Sequence, residues 1–388
     1  MPKSILFPIE PTILKYARKY SGYSIDEVSK KTKILEEKLQ SYEEQRMEIP
    51  ISQIEKLANL YKRPFAFFLL SKIPEGIVLP KDFRIVFSQN YKHEFSPKFY
   101  LAVRRARYVQ SVLKDLSEIK LDYKLSSVSL SSEIEPLSYS FRKFIGIDLE
   151  KQKKWKNSSE ALRNWKNSLE EKNIFIMQSN LSKDNISALC LIDEKPFIII
   201  LNSNEHEHRR IFSLFHEVGH ILLRKSGVCN PDDLSRNSYE YIKIEKFCNQ
   251  FAASLLLPSK EFSNDSSIVN LINYPISSWN EDVLKKISNK YKVSKEVILR
   301  RLSTLGYISE KDYEKWREKS QKEAEEFKLP EKKEFRIPQY IKCLSQNGRA
   351  ITSFILTQYH SNKITFDAAA EILNIAPKHI PTLEMKVW

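Results

Sequence analysis

The feature that most constrains this chain is the stretch Phe212–Leu223, FSLFHEVGHILL, which sets His216, Glu217 and His220 in the pattern H-E-x-x-H. On an α-helix, positions four apart lie one turn apart on the same side. Both imidazoles can therefore reach one metal ion, with the intervening glutamate beside it. The surrounding Phe212, Leu214, Phe215, Val218, Ile221, Leu222 and Leu223 predict a mostly buried helix. Buried imidazoles and a buried carboxylate are costly unless paired or bound to metal. The competing reading is a helix with two ordinary histidines and a surface glutamate. A third ligand at the right distance decides between them.

A chain of 388 residues is long enough for two to four domains, and 41% hydrophobic content supports real cores. The charge balance of 63 basic to 49 acidic residues leaves +14. That favours an anionic partner, nucleic acid first, although a lysine-rich surface kept soluble accounts for it as well. Cys190, Cys229, Cys248 and Cys343 form no C-x-x-C pair and read as reduced thiols in a cytoplasm. No run is long or apolar enough for a signal peptide or a membrane span, so a soluble, cytoplasmic protein is expected.

Residues 1–75 read as short helices. ILKYARKYSG stops at Gly22; Ser24 and Glu27 form a capping box before IDEVSKKT; a break at Lys33–Ile34 leads into LEEKLQSYEEQ; ISQIEKLANLYK follows Pro50. This order, over YSIDEVSKKTKILEEKLQSYEEQRMEIPISQIEKLANLYKRP, resembles an XRE-type helix-turn-helix domain. The resemblance implies that the third helix, about Leu35–Tyr42, enters a major groove, with Lys33, Lys38, Gln40 and Ser41 reaching double-stranded DNA. Against this, Glu36, Glu37, Glu43 and Glu44 surround that helix and oppose phosphate contact. The other reading is a helical domain that docks a protein or forms a homodimer.

Residues 76–172 are expected to be a helical connecting region. IPEGIVLPKDFR reads as an extended linker. In SPKFYLAVRRARYVQSVLKDL, Arg104, Arg105 and Arg107 interleave with Tyr100 and Tyr108, the best local basic patch of the chain. A helix face contacting acidic parts of the same protein explains that patch equally. Leu137–Ile145 and Ser159–Glu171 read as amphipathic scaffold helices.

Residues 173–305 hold the motif. Three β-rich runs, 174–178, 188–192 and 196–202, precede the helix, and a polar loop from Gly227 to Tyr239 follows it. Sheet, motif helix and second helix resemble the build of zincin metallopeptidases. In that plan Glu245, in YIKIEKFCNQFAASLLLP, supplies the third ligand. Asn249, one turn on, can accept a hydrogen bond from a ligating histidine and fix its tautomer. RRIFSLFHEVGHILL with IEKFCNQFAASLLLP resembles the ImmA/IrrE-type metallopeptidases, with Cys248 in place of a usual alanine. PKDFR also resembles their linker.

Two imidazoles and a carboxylate suit Zn²⁺, while Mn²⁺ or iron could take the same ligands. Glu217 is expected to be the general base and Tyr239 or Tyr241 an oxyanion donor. His206 and His208 read as surface residues. The resemblance further implies a protein substrate, a helix-turn-helix repressor cleaved to release transcription in a stress or mobile-element response. The alternative is a DNA-binding regulator or antitoxin-like protein that uses the peptidase fold as a sensor. Residues 306–388 read as a charged linker and a helical segment. The expected class is α+β, mainly α.

Overall fold

The computed structural model describes residues 5–73, 95–117, 128–181, 186–224, 239–276, 279, 281–326 and 337–388. The PKDFR run and residues 227–238 of the expected loop lie outside the described residues. The chain divides into two compact units, one reaching to Arg105 and one from Ala106 onward. The structure is mainly helical with two small sheets, an α+β build.

In the first unit, strand β1 (Leu6–Ile9) precedes helices α1 (Pro11–Lys19), α2 (Ile25–Thr32) and α3 (Glu36–Glu44). Strand β2 (Met47–Pro50) leads into α4 (Ile51–Tyr61) and a 3-10 turn at Phe65–Leu69. The capping box forms as read from the sequence: Ser24 accepts from the Glu27 N–H, and Glu27 accepts from the Ser24 N–H. Lys33 ends α2 in the left-handed region at φ 62°. The two strands pair antiparallel, Leu6 opposite Pro50 and Ile9 opposite Met47. This ribbon was not expected. The core gathers Ile13, Val28, Leu39, Tyr42, Ile54, Leu57 and Phe68. Gly22, at φ +68°, sits where a Cβ would lie 2.4 Å from the Tyr100 ring, so the turn tolerates no larger residue.

Helix α5 (Pro97–Leu116) carries the boundary between the units. The second unit continues with α6 (Ile134–Phe144), α7 (Leu149–Lys154) and α8 (Ser158–Glu170). Strands β3 (Ile174–Ser179), β4 (Ala188–Leu191) and β5 (Phe197–Asn202) form a sheet in the order β3-β5-β4. The β3–β5 pair is parallel and the β4–β5 pair antiparallel. All six residues of the central strand are buried, as its unbroken apolar run requires.

Helix α9 (Glu207–Leu223) packs on β4 and β5, and α10 (Tyr239–Leu256) packs on α9. Short helices α11 (Ser259–Ser263) and α12 (Ser266–Ile272) lead to α13 (Glu281–Tyr291), α14 (Lys295–Thr304) and α15 (Glu310–Glu326). The last elements are α16 (Gln339–His360), α17 (Phe366–Leu373) and α18 (Ile380–Val387). Helix α16 lies along β3 and breaks at Gly348, where φ is 75°. There a Cβ would meet Glu170 Oε1 at 2.6 Å and the Ile176 carbonyl at 2.9 Å. The Glu170 carboxylate accepts the Ala350 N–H at 3.2 Å, capping the resumed helix from another part of the chain.

Candidate metal centre

The motif helix forms because its apolar residues recur every three or four positions: Ile211, Leu214, Phe215, Val218, Ile221 and Leu222 all face the core. Phe215 meets Trp165 edge-on at 4.8 Å, and Trp165 meets Trp155 likewise at 5.0 Å. Such pairs contribute about 0.5–1.5 kcal/mol each beyond their burial. Gly219 lets the second helix approach, since a Cβ there would lie 3.0 Å from both Cys248 Cα and Sγ.

Helix α10 is held at its far end by three side chains. Arg142 donates to the Leu255 carbonyl at 2.6 Å, Gln152 to Leu256 at 3.1 Å and Arg301 to Leu257 at 2.8 Å. These are carbonyls that a helix end leaves without partners, and each would cost about 1–3 kcal/mol if buried unpaired. Arg301 also donates to Glu135 and to Ser254 Oγ. Nothing in the sequence announces this clamp, because its donors stand 44 to 113 positions from their acceptors.

With both helices fixed, His216, His220 and Glu245 converge, their ligand atoms all within 4.8 Å of one another. The two Nε2 atoms are 3.1 Å apart. His216 Nε2 lies 3.2 Å from Glu245 Oε2, and His220 Nε2 lies 3.4 Å from Oε1. Ligands about 2.0–2.1 Å from one tetrahedral ion stand roughly 3.3–3.4 Å from each other, so the donor set fits zinc. His216 Nδ1 is 3.1 Å from Asn249 Oδ1. An amide oxygen only accepts, so Nδ1 carries the proton and Nε2 presents its lone pair to the cluster. That lone pair and the Glu245 carboxylate 3.2 Å away repel unless a proton or a cation stands between them, a second argument that the residues suit a metal.

Burial reinforces this. His220 is 1% exposed and Glu217 is 6% exposed. Glu217 Oε2 and His220 Nδ1 are buried without a hydrogen-bond partner among the described residues. Burial alone would raise the Glu245 carboxyl, but the neighbouring His216 and His220 imidazoles, which hydrogen-bond it when protonated, hold it down to about 2. Burial works to lower His216, and its contacts with Glu245 and the Glu217 charge outweigh that and raise it. The centre favours an ionised Glu245 carboxylate beside a cationic or metallated His216.

The other expected residues have separate fates. The side chains of Tyr239 and Tyr241 lie outside the described residues. His206 is the exposed N-cap of α9, while His208 is half-buried, its pKa lowered by that burial. On α3, Lys38 and Gln40 are exposed, as is Lys33 before it. Ser41 Oγ donates to the Glu37 carbonyl at 2.9 Å. Glu43 turns inward to a two-pronged pair with Arg18, at 2.6 and 2.8 Å, so it serves the core of that unit. The arginine patch is spent largely within the protein. Arg104 donates to the Tyr61 and Lys62 carbonyls at 2.9 and 3.0 Å. Arg107 pairs with Asp193 at 2.5 Å and with Gln110. Arg105 is half-buried and has partners of its own.

Among the described residues, no helix is long and apolar enough to cross a membrane. Comparison with curated proteins and with solved structures returned no match. Residues 169–303, which contain His216, Glu217, His220, Glu245 and Asn249, match the family model of the IrrE N-terminal-like domain, a peptidase family.

Proposed function

We propose that this chain is a metal-dependent endopeptidase whose substrate is a helix-turn-helix repressor in the same cytoplasm. The observation that carries the proposal is the convergence of His216, His220 and Glu245 with Asn249 behind His216. Zn²⁺ held by those three residues would polarise a peptide carbonyl and lower the pKa of a water molecule to about 7.

The chain's own groups do the rest. Asn249 orients His216 so that its Nε2 faces the ion. Glu217 sits one position after His216, nearly buried, with an unpartnered carboxylate oxygen. It takes a proton from the attacking water and passes it to the leaving amine. Burial of Glu217 itself, at 6% exposure, strengthens its electrostatics. Tyr239 and Tyr241, at the start of α10, are proposed to donate to the developing oxyanion. The match to a peptidase family supports a protein substrate, and the ImmA/IrrE resemblance of the paired motifs supports a repressor.

The test is proteolysis of a co-encoded repressor by wild-type protein and by Glu217→Gln. The variant should keep its metal and lose cleavage by roughly 10²–10⁴-fold. Undiminished cleavage by Glu217→Gln would remove the residue from the mechanism.

A further inference from the structure

Among the described residues of the first unit, the arginines are unevenly matched by carboxylates. Arg18 and Arg46 each meet a carboxylate, Glu43 and Glu10 respectively. Arg63 and Arg104 meet none among the described residues, and the two guanidiniums repel each other. Arg63 lies over the Phe67 ring at 4.6 Å, with Nε and Nη2 buried and lacking hydrogen-bond partners. Arg104 is partly satisfied by carbonyls at the end of α4, whose dipole favours one cation. Arg63 keeps a hydrogen bond to Tyr16 and adds its charge from behind, while Lys62 and Lys98 stand beside Arg104 with exposed side chains. Half-buried cations without counter-ions are costly, and proteins retain them where an anion binds.

A cleft of about 90 Å³ opens at this point. Arg104, Lys62 and Lys98 line it together with Ser21 and Tyr23, and among the described residues no acidic one does. Its remaining wall is apolar, formed by Leu60, Pro97 and Leu101. Burial and the neighbouring Arg63 charge pull Arg104 down to about 10, the direction an anion would reverse.

We propose that this cleft is a binding site for a small phosphate-bearing ligand, held by Arg104, Lys62 and Lys98 with the Tyr23 hydroxyl, while Ser21 positions Arg104 by accepting from its Nη1 at 3.4 Å and donating to the Tyr61 carbonyl. Three cations suit a dianion better than a single carboxylate, and guanidinium and hydroxyl donors match phosphate oxygens. The apolar wall suits the organic part of a phosphate ester. The cleft's size excludes a folded macromolecule and admits one phosphate group. The site also gives the basic start of α5 a role other than contacting DNA across an open surface.

The experiment is calorimetric titration of the full-length protein with inorganic phosphate and with pyrophosphate at low ionic strength. The wild type should bind saturably. Arg104→Gln should weaken binding by about tenfold and Lys98→Glu by about three- to fivefold. Lys98 is exposed, so its variant keeps the fold even where loss of the Arg104 contacts with α4 does not. His216→Ala should bind phosphate as the wild type does. Absence of saturable binding, or wild-type affinity in Lys98→Glu, overturns the site. Loss of binding in His216→Ala would move the phosphate to the metal centre and overturn it equally. Competition by a duplex DNA, lost in the same two variants, would replace the small ligand by the DNA backbone and overturn the assignment made here.

Discussion

Two helices of this protein stand out in the sequence for function, α3 in the first unit and α9 in the second, and they differ in where their polar atoms lie. On α3 only Leu39 and Tyr42 are buried, while Glu36, Glu37, Lys38 and Gln40 are in solvent. On α9 eleven residues are buried, Glu217 and His220 among them. A solvated polar side chain costs nothing to carry, so its identity is weak evidence of a task. A buried carboxylate beside two imidazoles is expensive and persists only with a compensating partner. The same reasoning motivates the proposed anion site, since Arg63 and Arg104 meet no carboxylate among the described residues.

Four variants break or sharpen this contrast. The largest effect is expected from Asn249→Ala, which frees His216 to rotate and change tautomer. Metal affinity or cleavage should fall about 10–100-fold, read by competition with a chelator, with the melting profile little changed. An unaltered affinity would show that His216 is oriented by something else.

Gly219→Val tests the packing that brings α10 to α9. The close approach of Cys248 leaves no room for a side chain. A loss of about 1–3 kcal/mol should appear as a lower urea midpoint, with weaker metal binding because Glu245 is displaced. An unchanged midpoint would mean that the helices can separate freely.

Glu170 asks whether burial alone makes a carboxylate functional. Burial pushes its carboxyl up to about 7, opposed by the Lys166 charge and by the N–H groups of Ala350 and Ile176. Its ordinary value is 4.5. The folded protein therefore holds this proton longer than the unfolded chain does. The resulting stability is present below pH 4.5 and is lost as pH rises from there to about 7. Glu170→Gln should flatten that slope, by about 1–3 kcal/mol across the window, and leave metal content unchanged. A slope identical to wild type contradicts this assignment.

The smallest effect is reserved for α3. Glu36→Lys with Glu37→Lys should alter stability by less than about 0.5 kcal/mol. If the helix approaches DNA, the exchange steepens the salt dependence of duplex binding. If the domain engages a protein instead, duplex binding stays absent at low salt.

These contrasts also explain what could be read beforehand. The helices of the first unit and the three strands of the second followed from periodicity and caps, which are local, and the pairing of motif helix with α10 followed from the resemblance to zincin metallopeptidases. Glu245 was legible through the resemblance to the zincin plan, and Asn249 because it lies four residues on along the same helix face. The β1–β2 ribbon was not, since LFPI is four residues long, contains Pro8 and finds its partner some forty residues away. Helix α7, in LEKQKK, has too few apolar positions to show a period. The clamp of Arg142, Gln152 and Arg301 on α10, and Glu170 on the broken helix at Gly348, are contacts between distant segments that no window of sequence contains.

The most direct test of the account is elemental analysis of purified wild-type and Glu245→Gln protein after dialysis against buffer with trace zinc. A centre made of His216, His220 and Glu245 should retain about one equivalent of divalent metal in the wild type and a small fraction of that in the variant. Wild-type protein that is correctly folded and holds no metal, or a Glu245→Gln variant that holds as much as wild type, would contradict it.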